Sequence, residues 1–357
     1  MARLSAVAEQ TVSSAAAVRG SAPLSAVGPD TAGTYCHDGG VAEPAPRRPL
    51  ARTPRHPVNF PDPFVLHDGP GRWFAYATDD NGCHVQLLTS NDLVTWSGPT
   101  EALPVVARWA EANRIWSPAV APVGGVYVMW YSIHKRGSTR QAISVASSDR
   151  PEGPFVDPSD RPMIFVSDEI GSIDPSPFLD VDGRRYLLWR ADASSHRRSA
   201  TLWIQPLRED GLALTDRPHA LLGVDARWEG PLIEAPSMLA VDGIYYLFYS
   251  ANSYNTERYA IGYATSSSVL GPFAKRTTTK PWVGLDDAVW GPGGQEWTTD
   301  DDGGLVMAFH GWEPGRAGYK KGGRRRLYVA RVDITQGRPV LDRGPGSPGR
   351  RRWWPFG

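Results

Sequence analysis

Three carboxyl groups stand where acid–base chemistry is possible: Asp62 in Phe60-Pro61-Asp62-Pro63-Phe64, Asp174 in Ser172-Ile173-Asp174-Pro175-Ser176-Pro177-Phe178, and Glu234 in Ile233-Glu234-Ala235-Pro236-Ser237-Met238. Hydrolysis by acid and base needs one ionised carboxylate to take a proton from water and one protonated carboxyl group to give a proton to the leaving atom. A third carboxyl group beside them adjusts the charge balance. All three head otherwise apolar segments, where ionised groups lose hydration and repel each other, so a purely structural design has little reason to place them there. Asp before Pro is also common turn chemistry, which accounts for Asp62 or Asp174 singly but not for Glu234.

The elements that must position these groups follow from a repeat. Between residue 58 and about residue 341 one unit recurs: a strand start, an apolar run, a turn, an aromatic strand, a polar loop and an alternating strand. The third and fourth copies align without gaps from Asp174 to Trp189 and from Glu234 to Tyr249, sharing Val-Asp-Gly at 181–183 and 241–243, and each Asp-Gly marks a tight hairpin. The second and fourth match again, AISVASSDRPEGPF at 142–155 against AIGYATSSSVLGPF at 260–273. Copies begin near Asp62, Ser117, Asp174, Glu234 and Pro292, a period of roughly 55–60 residues. The fifth copy turns through DDDGG at 300–304 and closes with LYVARVDI at 327–334. Five copies of about four short strands without helices predict a five-bladed β-propeller over 58–341. In that fold the first strand of every blade lines the channel, so the three carboxyl groups converge near its axis.

Composition agrees with this fold and excludes other classes. The 357 residues carry 37 Gly, 32 Pro, 14 Trp and 13 Tyr, the make-up of a turn-rich chain of aromatic strands. Lys and Arg number 38 against 38 Asp and Glu, so no global field gathers nucleic acid or anionic lipid. No apolar run approaches the ~18 residues that span a bilayer. Residues 1–57 hold almost no large apolar side chains and read as a disordered leader; Glu9, Gln10 and Ser13 interrupt what would be a secretory signal core. Residues 342–357 read as a disordered basic and aromatic tail in which Arg350–Arg352 is a solvated run. Cys36 and Cys83 make no disulfide framework and are expected as free thiols. Gly291-Pro292-Gly293-Gly294 lacks the Lys-Ser/Thr of a phosphate loop, DDDGG lacks the spacing of an EF-hand, and neither zinc-type clusters nor a Gly-x-Ser-x-Gly elbow occur.

The segments around Asp62, Asp174 and Glu234 resemble the blade-one, blade-three and blade-four motifs of glycoside hydrolase family 43, within the clan of five-bladed propeller glycosidases. Matched residue by residue, the resemblance implies Asp62 as general base, Glu234 as general acid and Asp174 as the residue that orients the acid and adjusts its pKa. It implies direct hydrolysis with inversion, for which the reacting pair must flank a water molecule at roughly 6.5–9.5 Å separation. Ionised Asp174 and an apolar wall of Ile233 and Met238 are expected to raise the pKa of Glu234. Copy two, Ile115-Trp116-Ser117-Pro118-Ala119-Val120, departs from the family, which commonly has an acidic residue in the place of Ala119. The Asn-Asp-Pro-Asn signature of the related retaining fructan-cleaving propellers is absent, since Pro61 precedes Asp62 and Phe64 follows Pro63.

Further candidates surround the trio. Trp116, Trp73 and Phe60 are expected to stack on sugar rings. Arg190 is placed to bind sugar hydroxyls or the Asp174 carboxylate. The fifth copy supplies His310 in Ala308-Phe309-His310-Gly311-Trp312, expected either to bond substrate or to hold a structural ion at the axis, usually calcium in similar proteins; the chemistry itself requires no cofactor. SIDPSPF, IEAPSM and GPGGQ followed by FHGW most resemble members acting on α-L-arabinofuranosyl linkages of arabinan or arabino-oligosaccharides. β-Xylosidase activity and a non-catalytic carbohydrate-binding propeller are the alternatives. Loops 104–114 and 252–258 are expected to set exo or endo cutting. The expected partner is an oligo- or polysaccharide and the expected state a monomer; such a substrate favours an extracellular location, for which the leader offers no signal.

Overall fold

The structure, a computed structural model, describes residues 53–193 and 200–342. The leader up to residue 52, with Cys36, and the tail beyond Asp342 lie outside the described residues.

Nineteen strands form five antiparallel sheets, each built from consecutive strands. Blade one holds β1 (Phe64–His67), β2 (Trp73–Ala77), β3 (Gln86–Ser90) and β4 (Ser97–Glu101); blade two holds β5 (Trp116–Val123), β6 (Val126–His134) and β7 (Gln141–Ser148). Blade three contains β8 (Ile170–Leu179), β9 (Arg185–Ala193), β10 (Thr201–Pro206) and β11 (His219–Gly223). Blade four contains β12 (Ile233–Val241), β13 (Ile244–Ala251), β14 (Ala260–Ser266) and β15 (Ala274–Lys275). Blade five contains β16 (Trp290–Thr299), β17 (Leu305–Trp312), β18 (Arg326–Thr335) and β19 (Arg338–Leu341). This is the five-bladed propeller the repeat predicts.

Second strands such as β6, Val-Tyr-Val-Met-Trp-Tyr-Ser-Ile-His, are buried on both faces because neighbouring blades cover them, which is why they read as nearly unbroken apolar runs. Outer strands such as β4, Ser-Gly-Pro-Thr-Glu, are largely exposed. Five apolar clusters fill the five blade interfaces. The ring closes without exchanging a strand: Val65, Trp73 and Leu88 of blade one pack on Val306, Ala308, Leu327 and Val329 of blade five. Backbone bonds from Arg55 N–H to Leu327 O (2.8 Å) and from Phe60 N–H to Arg325 O (2.7 Å) fasten the first described residues to the last blade.

Asp242 and Gly243 both adopt positive φ (50° and 74°) and form the expected two-residue hairpin. The blade-three counterpart is longer: Leu179 pairs with Arg185, and the connection turns back through Asp180 N–H to Arg184 O. The DDDGG segment repeats this longer form, with Asp300 N–H on Gly304 O, and is a turn as expected. Among the described residues no helix is long and apolar enough to cross a membrane, and Cys83 forms no disulfide.

Candidate active site

Four of the five innermost strands carry a bulge, and β1 begins just after the corresponding residue, Asp62. The register jumps between Trp116 and Ala119 in β5, Ile173 and Ser176 in β8, Glu234 and Ser237 in β12, and Gly293 and Glu296 in β16. One residue per blade is left-handed there: Asp62 (φ 52°), Ser117 (48°), Asp174 (56°), Ala235 (48°) and Gly294 (60°). For a non-glycine residue that conformation costs roughly 1–2 kcal/mol, and the strain is met by a hydrogen bond from each of these N–H groups to a neighbouring blade. Asp62 donates to His310 Nδ1 (3.1 Å), Ser117 to Thr78 Oγ1 (3.1 Å), Asp174 to Ser132 Oγ (3.1 Å), Ala235 to Asp174 Oδ2 (3.0 Å) and Gly294 to Ser250 Oγ (2.9 Å).

This ring corrects the repeat alignment at two points. Glu234 stands one residue before the position of Asp62 and Asp174, which Ala235 fills, because the blade-three hairpin is one residue longer and a gapless alignment absorbs the difference. The fifth copy is represented by Gly294 rather than Pro292. Convergence survives both corrections. Asp62 and Asp174 line one channel cavity, and Glu234 couples electrostatically to both.

The three groups have contrasting surroundings. Asp62 keeps 19% of its side chain open inside the channel. Its Oδ1 and Oδ2 accept from Arg325 Nη1 (3.0 and 3.2 Å), and Oδ2 also accepts from Thr78 Oγ1 (2.8 Å). Burial alone would raise its pKa, but the Arg325 charge and the bonds from Arg325 and Thr78 outweigh burial and hold it below its ordinary value. Asp174 accepts from Ser117 Oγ (2.9 Å) and from Ala235 N–H. Burial, reinforced by Asp62 and opposed by Arg190, pushes it up to about 6. Glu234 accepts from Arg190 Nη1 and from the Tyr259 hydroxyl. Burial, opposed by Arg190 and aided by Asp174, pushes it up to about 7. Burial rather than Asp174 is thus the leading cause, and Ile233 and Met238 belong to the buried blade-three/blade-four core beside it.

The candidates around the trio divide. Trp116 is half-buried at the head of β5, next to Ser117 in the ring. Phe60 and Trp73 are not sugar platforms: Phe60 is fully buried between blades one and five, and Trp73, 2% exposed, stacks on His67 (4.7 Å) and donates Nε1 to Thr299 O (2.9 Å). Arg190 is buried and bonds Glu234 and Asp192, so the carboxylate it holds is not that of Asp174.

His310 is fully buried, stacks on Tyr259 (5.6 Å) and serves Asp62 as Thr78, Ser132 and Ser250 serve other blades. Burial lowers its pKa to about 3, so the ring is neutral. With Nδ1 accepting from Asp62 N–H, the ring proton sits on Nε2, which is enclosed and unpartnered. A calcium ion wants six to eight oxygen ligands, and among the described residues no three His, Cys, Asp or Glu side chains cluster around such a point. Any further oxygen ligands for an ion at His310 would therefore have to be backbone carbonyls, hydroxyl groups or water.

Four contributors escaped the sequence reading. Arg325 and Thr78 hold Asp62, Tyr259 bonds Glu234, and Glu296 adds a fourth carboxyl group to the channel wall. Glu296 occupies in blade five the bulge position that Ala119 occupies in blade two, so an acidic residue lacking there is present elsewhere on the same ring. Its side chain bonds Ser176, and burial, with Asp174 adding to it, pushes its pKa up to about 8. A register count through the irregular fifth copy would have found it; Arg325, inside the Arg324–Arg326 run, carried no such signal.

Comparison with known proteins agrees with the architecture. A "probable arabinan endo-1,5-alpha-L-arabinosidase A" of Aspergillus flavus is 25% identical over 71% of this chain and 82% of its own length. The "extracellular endo-alpha-(1->5)-L-arabinanase 1" of Bacillus subtilis is 25% identical over 73% of this chain and 82% of its own. Among solved structures, a thermostable family-43 glycoside hydrolase superposes with TM-score 0.70 at 26% identity, covering 84% of this chain and all of that one. A Bacteroides thetaiotaomicron protein described as an endo-1,4-beta-xylanase gives TM-score 0.67 at 27% identity, over 80% and 94% of the two chains. The model of the "Glycosyl hydrolases family 43" matches residues 51–339, and with the five-bladed ring and its carboxyl groups this establishes that the chain belongs to family 43 of the glycosyl hydrolases.

Proposed function

We propose that this glycoside hydrolase cleaves α-L-arabinofuranosyl linkages of arabinan or arabino-oligosaccharides by single-step inverting hydrolysis. The observation that carries the mechanism is the opposed tuning of two carboxyl groups on one channel: Asp62 is held ionised by Arg325 and Thr78, whereas Glu234 is pushed up to about 7. Asp62 takes a proton from water as that water attacks the anomeric carbon. Glu234 gives its proton to the departing glycosidic oxygen. Asp174 raises the proton affinity of Glu234 and, through Ala235 N–H, fixes the backbone beside it. Arg190 anchors the Glu234 carboxyl group, and Trp116 offers an apolar face to the sugar.

The substrate rests on the two relatives described above whose names specify arabinan. A single ring with all its carboxyl groups on its own blades needs no second copy for this chemistry, which supports a monomer as the active form. The test is digestion of linear arabinan, arabinoxylan and xylo-oligosaccharides with products sized by chromatography, and proton NMR of the first-formed anomer. Release of xylose alone overturns the substrate; retained configuration overturns the mechanism.

A further inference from the structure

The described residues expose few large apolar side chains, and the two aromatic ones among them, Tyr254 (42% exposed) and Tyr319 (41%), both flank Arg325. The Arg325 guanidinium lies 4.6 Å from the Tyr254 ring centre and 5.6 Å from that of Tyr319, and its Nε donates to Tyr319 Oη (2.9 Å). The same guanidinium holds Asp62 through Nη1. Two open aromatic rings therefore stand one residue away from the candidate base.

The arrangement is braced rather than loose. Trp312 Nε1 donates to Tyr254 O (2.9 Å), Tyr319 N–H donates to Asn255 Oδ1 (3.0 Å), and Trp312 packs edge-on against Tyr319. Loop 252–258 of blade four is thereby fastened to the 313–325 connection of blade five. Exposing aromatic rings costs apolar hydration, and bracing them in place costs conformational freedom. An apolar ring face backed by a cation suits the C–H face of a sugar, whose hydroxyl groups remain free at its rim.

We propose that Tyr254, backed by Arg325 and Tyr319, is a platform on which an arabinofuranosyl unit of the substrate chain stacks beside the unit being cleaved. The inference rests on the arabinan reading and adds to it a place on the protein where chain length is sensed. Arg325 joins that platform to Asp62, so the chain docks on the structure that positions the base.

The experiment is steady-state kinetics of wild-type, Tyr254→Ala and Tyr254→Trp enzymes on arabino-oligosaccharides of increasing length. For arabinotriose and longer chains, Tyr254→Ala is expected to raise KM about 10-fold, the size of one lost ring contact, with a clearly smaller change in kcat, and Tyr254→Trp to restore KM. A fall in kcat at unchanged KM assigns Tyr254 only to supporting Arg325 and overturns the platform. Unchanged kinetics, or a KM defect that the tryptophan variant does not relieve, overturns it as well. Wild-type enzyme that cleaves no arabino-oligosaccharide removes the arabinan reading itself, and the platform falls with it.

Discussion

Arg190 of blade three reaches Glu234 of blade four: Nη1 donates to Oε2, while Nη2 lies 3.0 Å from Asp192 Oδ1. In register, Arg190 occupies the place that Ser132, Ser250 and His310 occupy in other blades. Those residues accept an N–H from the left-handed residue of the next blade. An arginine has no acceptor to offer, and in blade four Ala235 N–H turns to Asp174 instead. Replacing a small acceptor by a guanidinium thus does two things at once: it gives Glu234 a cationic neighbour and ties Asp174 to the backbone beside that glutamate.

The cation opposes protonation of Glu234, and burial wins only in part. Arg190→Gln is therefore expected to move the basic limb of the kcat/KM profile upward by ~1 pH unit, within the range a nearby charge exerts. Arg190→Lys should move it less. Profiles from pH 4 to 10 on one arabino-oligosaccharide decide the matter, and a limb that stays put in Arg190→Gln separates Arg190 from the titrating acid.

Asp174 acts on Glu234 with the opposite sign. Its negative charge raises the glutamate pKa, so Asp174→Asn should lower the basic limb, narrowing the bell. Because Asp174 itself titrates near 6, the limbs belong to the coupled carboxyl groups rather than to single residues. The same variant keeps an acceptor for Ala235 N–H, and a limb that moves upward instead contradicts the assigned role.

Much of this site is written in the repeat. Asp62-Pro63, Asp174-Pro175 and Ala235-Pro236 mark three of the left-handed positions of the ring, and their spacing announces it. What the repeat hides is a single-residue offset. The Asp180–Arg184 connection is one residue longer than its blade-four counterpart, so Glu234 aligns with Asp174 in sequence while Ala235 takes that place in space. Phe60 and Trp73 misled because an aromatic ring at a blade interface has the same local pattern as one facing a sugar, and only tertiary packing separates them. Arg325 lay beyond reach for a related reason: it is 263 residues from Asp62, and nothing local distinguishes it from Arg324 or Arg326.

The division of labour between the reacting pair separates by leaving group. Asp62→Asn should lose ~10²–10⁴-fold in kcat on any arabinoside, since water activation is always required. Glu234→Gln should lose as much on unactivated oligosaccharides but far less on an aryl arabinofuranoside, whose leaving group departs without a proton. Equal losses of Glu234→Gln on both substrates would remove it from the role of acid.

Glu296 offers a test of the channel that does not depend on turnover. Its pKa rises on folding to about 8 from an ordinary value near 4.5, so between those limits the folded chain binds the extra proton. Stability from this group is therefore fullest below pH 4.5, declines as the pH climbs through that window, and is flat above it. Glu296→Gln replaces the carboxyl group by a neutral one of the same shape that can still bond Ser176. The variant should melt at the wild-type temperature at pH 5 and a few degrees higher at pH 9, where the wild type must either ionise a carboxyl group facing Asp174 or keep it protonated against the solvent. Glu234 and Asp174, also raised, act in the same direction and leave the variant a residual slope. Parallel melting curves of the two proteins across pH 5–9 would mean that Glu296 is hydrated in the channel like a surface carboxylate.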